Sequence, residues 1–328
     1  MKNIVIIGGG TGTFTLLAGL RKFPTNNSVI VSSADDGGST GVLRRELGVM
    51  PVGDIRQCLV GLSYTDEAMR DLFSYRFDRG SLAGHAVGNI ILAGLIKTTG
   101  SIEKAIAHAG AMLNVRGAVL PATLAPTALS AVYADGRRVS GEHNIDEPRS
   151  RRTAAISALK LTPPAPANPA ALAALEKADA IIFGPGDLFT SVLPSVLVRG
   201  VVERIRASSA KKIVITNIMT KRGQTDGFRA SDFIRVIGAY LGKKGAPCLP
   251  DIALVNTQKP GAGSHAHYKK DGAEFAQSTF TKLGGFVERV DQDKYQNSII
   301  ITGKIPAANL ESLRVMLKDY VKKDKYYQ

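Results

Sequence analysis

The stretch Ile4-Val5-Ile6-Ile7-Gly8-Gly9-Gly10-Thr11-Gly12 decides how the rest of the chain is interpreted. Four branched apolar residues in a row are typical of a buried strand, and the glycines stand directly before a helical pattern at Phe14, Leu17 and Leu20. Bare backbone N–H groups at the start of a helix can hold phosphate, and glycine permits close approach. A tight structural turn is the alternative, because Thr13 replaces the last glycine of a G-x-G-x-x-G motif counted from Gly8.

Short apolar runs of the same kind recur along the chain and predict further buried strands at residues 29–31, 181–183, 213–215 and 252–255. Helical patterns lie between them, at residues 14–20, 90–96, 192–205 and 233–241. Alternating strands and helices predict an α/β fold, in which a parallel sheet has helices on both faces.

One stretch breaks this alternation. Residues 127–133 and 138–143 flank Asp135-Gly136, a pair that suits a two-residue hairpin turn. We therefore interpret residues 112–176 as an insertion that ends in a proline-rich extended connection, 163–169, before a helix at Ala170. The prediction is one α/β domain over residues 1–328, with a core of 1–111 and 177–305, this insertion and a C-terminal helix over 307–323.

Composition excludes several classes of protein. The 328 residues include 42 Lys and Arg against 28 Asp and Glu, a net charge of +14, and 44% are hydrophobic, which supports a folded core. Cys58 and Cys248 match no metal or redox spacing, so a reducing cytoplasm is the predicted location. No apolar run reaches the length of a membrane helix or a signal peptide. With 6% aromatic residues and no Trp, nucleic acid is not an expected partner.

The second predicted strand is followed by Asp35-Asp36-Gly37-Gly38-Ser39-Thr40-Gly41 and then Arg44. Carboxylates at a strand end can accept hydrogen bonds from ribose hydroxyls, bind a metal ion or take a proton from an attacking hydroxyl. A solvated turn with a helix cap is the alternative. Successive side chains of an extended pair diverge, so Asp35 and Asp36 are not expected to share one role.

Two further polar segments precede helical patterns. In Gly53-Asp54-Ile55-Arg56, Asp54 either serves the site or only caps its own helix, and Arg56 suits a diphosphate or a carboxylate. In the second segment, His85 and Asn89 lie at the entrance to the helix over 90–96. A ligand contact and a structural role are both open for His85.

A second glycine loop, Gly184-Pro185-Gly186, follows the strand over 181–183 and precedes Thr190 and Ser191. Asn217 and Asn256 end two later strands, where each is either a ligand contact or a turn former. In an open α/β sheet the ligand crevice lies beyond the carboxyl ends of the strands. These residues are therefore expected to converge at one edge of the sheet.

Three common enzyme signatures are absent from the sequence. It has no G-x-x-x-x-G-K-[ST] phosphate loop, no G-x-S-x-G nucleophile elbow and no histidine pair at metal-ligand spacing. These absences disfavour a P-loop kinase, a serine hydrolase of that type and a zinc enzyme.

The ordered set of motifs resembles the gluconeogenesis factor (YvcK-like) proteins of the CofD-like superfamily. The motifs that carry the resemblance lie at residues 8–12, 35–44, 53–56, 84–89, 184–194, 217–225 and 254–256, and the match extends to about residue 276. The resemblance implies a Rossmann-like core and a nucleotide site. Asp187, Phe189, Ala86 and Gln224 depart from the residues usual in the regulators, and the chain after residue 276 matches poorly.

The YvcK-like branch implies a regulatory protein that binds a UDP-sugar such as UDP-N-acetylglucosamine and links carbon metabolism to cell-wall growth, with no assured reaction. The transferase branch implies transfer of a phospholactyl group from a guanosine diphosphate conjugate to a deazaflavin hydroxyl, with Mg²⁺ as the expected metal and Asp36 or Asp54 as the catalytic candidate. We favour the first because the segment from Asp35 to Ser39 is closer to the regulators. A nicotinamide-dependent dehydrogenase is a third, weaker alternative.

No cofactor is firmly expected beyond the UDP-sugar ligand. The resemblance is compatible with protein partners in cell-wall synthesis and with a homo-oligomer. The predicted nucleotide-binding residues are Gly9, Gly10, Thr11, Gly12, Asp35, Asp36, Ser39, Arg44, Gly53, Asp54, Arg56, His85, Asn89, Gly184, Pro185, Gly186, Thr190, Ser191, Asn217, Asn256 and Tyr268.

Overall fold

The computed structural model describes residues 1–148, 154–243, 246–256, 273, 274, 276, 286–289 and 298–302. Its strands are β1 (Lys2–Ile7), β2 (Thr25–Val31), β3 (Ala118–Pro121), β4 (Ala128–Tyr133), β5 (Arg138–Ser140), β6 (Ile156–Thr162), β7 (Ala180–Phe183), β8 (Lys211–Ile215), β9 (Ile252–Asn256), β10 (Phe286–Arg289) and β11 (Ser298–Thr302).

The helices of the described residues are α1 (Gly10–Leu20), α2 (Gly38–Leu47), α3 (Gly53–Gly61), α4 (Glu67–Ser74), α5 (Val87–Thr99), α6 (Ile102–Met112), α7 (Glu142–Asp146), α8 (Pro169–Glu176), α9 (Leu193–Val196), α10 (Val201–Ala207) and α11 (Ala230–Leu241). A π-helical turn, Leu188–Val192, leads directly into α9.

The main sheet has the strand order β10-β11-β9-β8-β7-β1-β2-β3. The six strands from β9 to β3 pair in parallel, whereas β10 and β11 pair antiparallel at the other end. Within β1, Ile4 and Ile6 belong to the apolar core on one face, and Val5 and Ile7 to the core on the opposite face. The strand is therefore buried on both sides, which confirms the predicted α/β sheet.

The predicted hairpin forms, with β4 and β5 antiparallel. The two-residue turn is wrong, because residues 134–137 connect the two strands and, of the Asp135-Gly136 pair, only Gly136 has a positive φ (85°). With β6 these strands make a separate three-stranded sheet. Extension of the second strand to His143 is wrong, because the chain turns at Gly141 (φ 93°) into α7. The insertion boundaries, 112–176, stay a prediction. Within them, β3 pairs with β2 in the main sheet.

A single helix over 192–205 is also wrong. The chain forms the π-helical turn, α9 and α10 instead, and Gly200 at φ 94° separates the last two. A left-handed residue cannot continue a right-handed helix, so the apolar periodicity runs through a real break. The proline-rich connection leads into α8, which begins at Pro169 after the N-cap Asn168. The predicted C-terminal helix, 307–323, lies outside the described residues.

Candidate functional site

The strand order creates a crevice between β1 and β7. From β1 the chain proceeds through β2 to β3 on one side, and from β7 through β8 to β9 on the other. In parallel α/β sheets the ligand crevice lies at such a reversal, beyond the carboxyl ends of the strands. The glycine loops after β1 and β7 lie at this point.

The two glycine loops contact each other. The Thr13 hydroxyl donates a buried hydrogen bond to the carbonyl oxygen of Pro185 at 2.8 Å. A Cβ atom at Gly12 would lie 3.2 Å from Pro185 atoms, and one at Gly186 would lie 3.0 Å from the Gly9 carbonyl oxygen. Glycine at both positions therefore lets the two backbones approach, and the loops together form one surface at the crevice.

Four helices begin at this edge without a cap from the side chain of their own N-cap residue. They are α1, α2, α3 and α5, whose N-cap residues are Gly9, Gly37, Val52 and Ala86. The side chain of the N-cap residue caps α4, α6 and α8, whereas α7, α9 and α10 also lack such a cap. A helix start leaves backbone N–H groups without intrahelical partners and carries a partial positive charge. Their convergence is suited to an anion.

Asp54 connects two of these helix starts. Its Oδ1 accepts a hydrogen bond from the Gly10 N–H at 2.9 Å, across 44 residues of sequence. The interpretation of Asp54 as the cap of its own helix is wrong, because Val52 is the N-cap of α3 and Asp54 lies in the first turn. Burial, with the nearby charge of Asp35, raises the pKa of Asp54 to about 7. The carboxyl group can therefore exchange a proton near neutral pH.

A chain of hydrogen bonds holds Arg56 behind the crevice. Its Nε donates to Asn89 Oδ1 at 3.0 Å, Asn89 Nδ2 donates to Ser39 Oγ at 3.1 Å, and Ser39 Oγ lies 3.0 Å from His85 Nδ1. A Cβ at Gly88 would lie 2.8 Å from Arg56 Cδ, so glycine gives the side chain its space. The structure thus brings together four residues predicted from three separate motifs.

The Arg56 guanidinium is buried, with 6% of the residue exposed. Burial lowers its pKa to about 10, which leaves it charged at neutral pH. Its hydrogen-bond acceptors are the amide oxygen of Asn89 and the carbonyl oxygen of Phe73, and no ion pair to Arg56 occurs among the described residues. A buried cation held only by neutral groups favours an anionic ligand.

Asp35 and Asp36 diverge, as predicted. Asp35 Oδ1 accepts from the Gly37 N–H at 2.9 Å, and Asp36 Oδ1 accepts from the His143 N–H of α7 at 2.8 Å. Burial raises the pKa of Asp35. Asp36 therefore anchors α7 to the edge of the sheet, and its predicted catalytic role stays a prediction.

Arg44 links two loops through main-chain carbonyl groups. Its Nη2 donates to the Thr127 oxygen at 2.9 Å and its Nη1 to the Asp35 oxygen at 3.4 Å. These contacts hold the loop after β2 against the start of β4. These hydrogen bonds give Arg44 a structural role, and its predicted contact with a ligand stays a prediction.

The insertion adds acidic groups to the site. Asp146 Oδ1 accepts hydrogen bonds from Thr190, Lys221 and Gln224 at 2.9, 2.5 and 3.0 Å, and Lys221 Nζ also lies 2.6 Å from Asp187 Oδ2. Although burial opposes it, these two carboxylates raise the pKa of Lys221. One cation thus joins α7 to the loop after β7.

Sequence reasoning missed Glu142 and Asp146. Burial and the neighbouring carboxylates raise the pKa of Glu142 to about 10, so it is protonated at neutral pH. The two acids lie four residues apart, on one face of α7. This spacing was the available signal, but the predicted strand over 138–143 concealed it.

The remaining predicted residues differ in how far the structure describes them. A Cβ at Gly186 would lie 3.6 Å from Ser191 Cβ, which places Ser191 beside the second glycine loop. Thr11 is exposed in the first turn of α1, and Gly53 begins α3 next to Thr40. Asn217 follows β8 at the same edge. Asn256 ends β9, but its side chain and all of Tyr268 lie outside the described residues.

The described part of the chain has no ready-made cage of protein ligands for the predicted magnesium ion, whereas Mg²⁺ at a phosphate site needs only one or two carboxylates besides the phosphates. No three His, Cys, Asp or Glu residues there are grouped to hold a metal ion. The predicted Mg²⁺ requirement of a transferase stays a prediction. None of the described helices is long and apolar enough to cross a membrane.

The family follows from comparison with known proteins. The family model described as 2-phospho-L-lactate transferase CofD matches residues 4–290. The putative gluconeogenesis factor of Thermotoga maritima is 40% identical over 298 residues, which cover 90% of this chain and 88% of that protein. The chain belongs to the gluconeogenesis factor group of the CofD family.

Other members of the CofD family agree with this assignment. The gluconeogenesis factor of Bacillus subtilis is 39% identical over 90% of this chain and 93% of its own length. A putative gluconeogenesis factor of a Nostoc species is 44% identical over 266 residues, which are 81% of this chain. The matched part covers 57% of the length of that relative. A crystal structure of a Bacillus halodurans protein superposes with a TM-score of 0.80 at 41% identity, covering 86% of this chain and 89% of that one.

Proposed function

We propose that the protein binds a UDP-sugar of the UDP-N-acetylglucosamine type and acts as a cytoplasmic regulatory protein linking carbon metabolism to cell-wall growth. The observation that carries the proposal is the convergence of four helix starts, none of them capped by its own N-cap side chain, near the two glycine loops. Their N–H groups and the buried Arg56 suit a diphosphate, which is acceptor-only and doubly charged.

The acidic side of the crevice suits hydroxyl groups. The carboxylates of Asp35 and Asp187 are acceptors for ribose and sugar hydroxyls, and protonated Glu142 is a donor at neutral pH. An anion-binding surface beside a hydroxyl-binding surface matches the two ends of a sugar nucleotide. The name of the Bacillus subtilis relative, gluconeogenesis factor, supports the metabolic part of the proposal.

Calorimetry on the full chain tests ligand binding. We expect UDP-N-acetylglucosamine or UDP-glucose to bind at sub-millimolar concentration, and NAD and GDP to bind more weakly. Absence of binding by both UDP-sugars at that concentration contradicts the proposal.

A matched pair of glycine variants tests the location. Gly10 begins α1 at φ 72°, and Gly100 is the C-cap that follows α5, at φ 68°. A Cβ atom at either position would meet open space. Gly10→Ala and Gly100→Ala should each cost about 1 kcal/mol of stability, because alanine is strained at positive φ. Only Gly10→Ala should weaken UDP-sugar binding, and equal affinities in the two variants contradict the assignment.

Phosphoryl-group transfer is the second candidate. It is favoured by the description of the matching family model and by Asp54, whose pKa of about 7 suits a general base. In that reaction a deazaflavin hydroxyl oxygen forms a bond to the phospholactyl phosphorus, the bond to the GMP oxygen breaks, and Asp54 takes the hydroxyl proton. Incubation with the deazaflavin, the donor in which phospholactate is joined to GMP through a diphosphate link, and Mg²⁺ should then release GMP, and Asp54→Asn should abolish the release. Absence of GMP at high enzyme concentration removes this candidate.

Protein partners in cell-wall synthesis and a homo-oligomer remain predictions of the same proposal. Size-exclusion chromatography with light scattering, with and without UDP-N-acetylglucosamine, measures the oligomeric state directly. A ligand that favours one conformation shifts its population, so a regulatory role predicts that ligand changes the affinity for such a partner.

A further inference from the structure

Three hydrogen bonds connect the buried Arg56 to the side chain of His85. A guanidinium has only N–H donors, so the acceptor of the Arg56 Nε hydrogen bond, at 3.0 Å, must be the oxygen of the Asn89 amide. This fixes the orientation of the amide, whose Nδ2 then donates to Ser39 Oγ at 3.1 Å. The direction of the first two hydrogen bonds is therefore determined by Arg56, which cannot accept.

The Ser39 hydroxyl determines which ring nitrogen of His85 carries the proton. Ser39 is 8% exposed, and its Oγ already accepts from Asn89, so its own proton needs an acceptor. Within the described residues that acceptor is His85 Nδ1, at 3.0 Å. A neutral imidazole that accepts at Nδ1 carries its proton at Nε2. The hydrogen bonds therefore select one of the two neutral tautomers.

The Nε2 atom of His85 is open to a ligand. It has no hydrogen-bond partner within the described part of the chain, and it is not one of the buried polar atoms without a partner, so it has accessible surface. The main chain at this residue is fixed, because the His85 N–H donates to the Leu82 oxygen at 2.9 Å and the His85 oxygen accepts from the Phe77 N–H at 3.0 Å. The side chain thus offers an N–H donor from a fixed position.

The location of His85 favours an anionic acceptor for this donor. Its partner Ser39 lies in the first turn of α2, and His85 directly precedes Ala86, the N-cap of α5. The imidazole therefore lies beside the starts of two helices, where N–H groups carry a partial positive charge. A phosphate oxygen, which only accepts hydrogen bonds, suits this location.

We propose that His85 donates a hydrogen bond from Nε2 to a phosphate oxygen of the ligand, and that Arg56, Asn89 and Ser39 are positioning residues that keep the proton at Nε2. This inference rests on the proposed UDP-sugar site and assigns the diphosphate to the space beside the starts of α2 and α5. The donor is in place before the ligand arrives, so binding requires no change of tautomer. Preorganisation of this kind improves affinity because less order has to be created on binding.

NMR of the full chain, labelled with ¹⁵N-histidine, tests the tautomer without any ligand. Correlations between ring protons and ring nitrogens distinguish a protonated from an unprotonated nitrogen, and the signals that disappear in His85→Gln belong to His85. We expect the proton at Nε2 in the wild type at pH 8. Asn89→Asp should move it to Nδ1, because the new carboxylate accepts the Ser39 proton and Ser39 Oγ then accepts from His85.

A matched variant controls for the added charge. Asn26→Asp, an exposed change of the same charge on β2, should leave the His85 proton at Nε2. A proton at Nδ1 in the wild type overturns the proposal, as does the same tautomer in the wild type and Asn89→Asp.

Ligand titration separates this proposal from the proposed function. UDP-N-acetylglucosamine, or inorganic pyrophosphate as a minimal probe, should shift the His85 Nε2 signal while Nδ1 stays unprotonated. If UDP-N-acetylglucosamine binds by calorimetry without a shift at His85, this proposal is overturned and the proposed function stands. If the sugar nucleotide does not bind, the proposed function fails and pyrophosphate decides. A saturable Nε2 shift then supports His85 as a phosphate donor, and no shift at millimolar pyrophosphate overturns it.

Two substitutions of His85 separate its two hydrogen bonds. His85→Asn keeps an amide oxygen for Ser39 near the position of Nδ1 and removes the donor at Nε2, whereas His85→Gln keeps an amide donor near the position of Nε2. UDP-N-acetylglucosamine affinity should fall about tenfold in His85→Asn and under about threefold in His85→Gln. His108→Asn, at an exposed position of α6, is the control and should leave affinity unchanged. Equal affinity of the wild type and His85→Asn overturns the proposal.

Discussion

The Asp54 carboxylate accepts a hydrogen bond from the Gly10 backbone N–H at 2.9 Å, and so joins the start of α3 to the start of α1. The same carboxylate lies where a side chain at Gly9 would be placed. The first glycine loop and the Gly53-Asp54 motif are therefore one structural unit, although 44 residues separate Asp54 from Gly10.

The raised pKa of Asp54 predicts how stability depends on pH. Its pKa is raised from 3.8 to about 7 mainly by burial, so the native state binds this proton more tightly than the unfolded state does. The contribution of this group to stability is fully present below pH 4 and is lost as the pH rises to 7. Asp54→Asn, which cannot ionise, should remove that dependence.

Urea denaturation at pH 5 and pH 8 measures the effect. From pH 5 to pH 8, the wild type should lose roughly 2 to 3 kcal/mol more stability than Asp54→Asn does. This difference corresponds to about two pKa units at 1.36 kcal/mol each. Asp66→Asn, at the exposed cap of α4, is the control and should show no such difference from the wild type. Parallel pH profiles of wild type and Asp54→Asn would contradict the raised pKa.

A double-mutant cycle tests the contact between Gly9 and Asp54. Gly9 has an extended backbone (φ −164°), which any residue adopts, but a Cβ there would lie 1.9 Å from Asp54 Oδ2. Gly9→Ala should cost about 2 kcal/mol in the wild type and under about 0.5 kcal/mol when Asp54 is also alanine. Gly94→Ala, in open space within α5, is the control and should stabilise by about 0.5 kcal/mol. Equal costs of Gly9→Ala in both backgrounds would show that the two side chains do not compete for space.

Pairing the Arg56 guanidinium with an internal carboxylate should weaken ligand binding while the stability of the protein is retained. Asn89→Asp places a carboxylate at hydrogen-bond distance from the Arg56 Nε, and the Ser39 hydroxyl can donate to it in place of the lost amide donor. We expect UDP-sugar affinity to fall about tenfold or more, with stability retained, because the guanidinium then has an internal anion. Asn26→Asp, an exposed change of the same charge on β2, should leave affinity unchanged. Calorimetry and thermal melting check both expectations, and undiminished affinity in Asn89→Asp would exclude Arg56 from the anion site.

The arrangement of the glycine loops was predictable because its determinants are local. A buried apolar run, glycines and a helical pattern occur within a few residues, and the parallel sheet then brings the carboxyl ends of β1 and β7 together. The link from Asp54 to Gly10 was not predictable, since an acid in a first helical turn is equally typical of a local role.

The acidic groups of α7 were missed for a different reason. Glu142 and Asp146 reach the crevice only because the three-stranded sheet folds back on the main sheet and Asp36 binds the start of α7. The four-residue spacing of the two acids is compatible with a helix, but it gives no sign of the tertiary contacts that bring the helix to the crevice. Likewise, the break at Gly200 is set by one left-handed residue inside an apolar pattern that continues on both sides.

Lys221 neutralises two carboxylates from different parts of the chain. Its Nζ lies 2.5 Å from Asp146 Oδ1 and 2.6 Å from Asp187 Oδ2, and the lysine side chain is 30% exposed. Lys221→Met should cost roughly 1 to 3 kcal/mol, more than a surface ion pair and less than a fully buried one. Lys211→Met, which removes a 3.7 Å surface pair with Asp251, should cost under about 0.5 kcal/mol.

A second substitution, at Asp187, tests whether the stability lost in Lys221→Met is electrostatic. In Lys221→Met, Asp146 keeps the hydroxyl of Thr190 and the amide of Gln224, whereas Asp187 loses its cation. Adding Asp187→Asn should therefore restore about half of the lost stability, because the second carboxylate no longer repels Asp146. Urea denaturation of the single and double variants at pH 7 measures this coupling. Additive losses would mean that Lys221 stabilises the loop by packing of its alkyl chain and not by its charge.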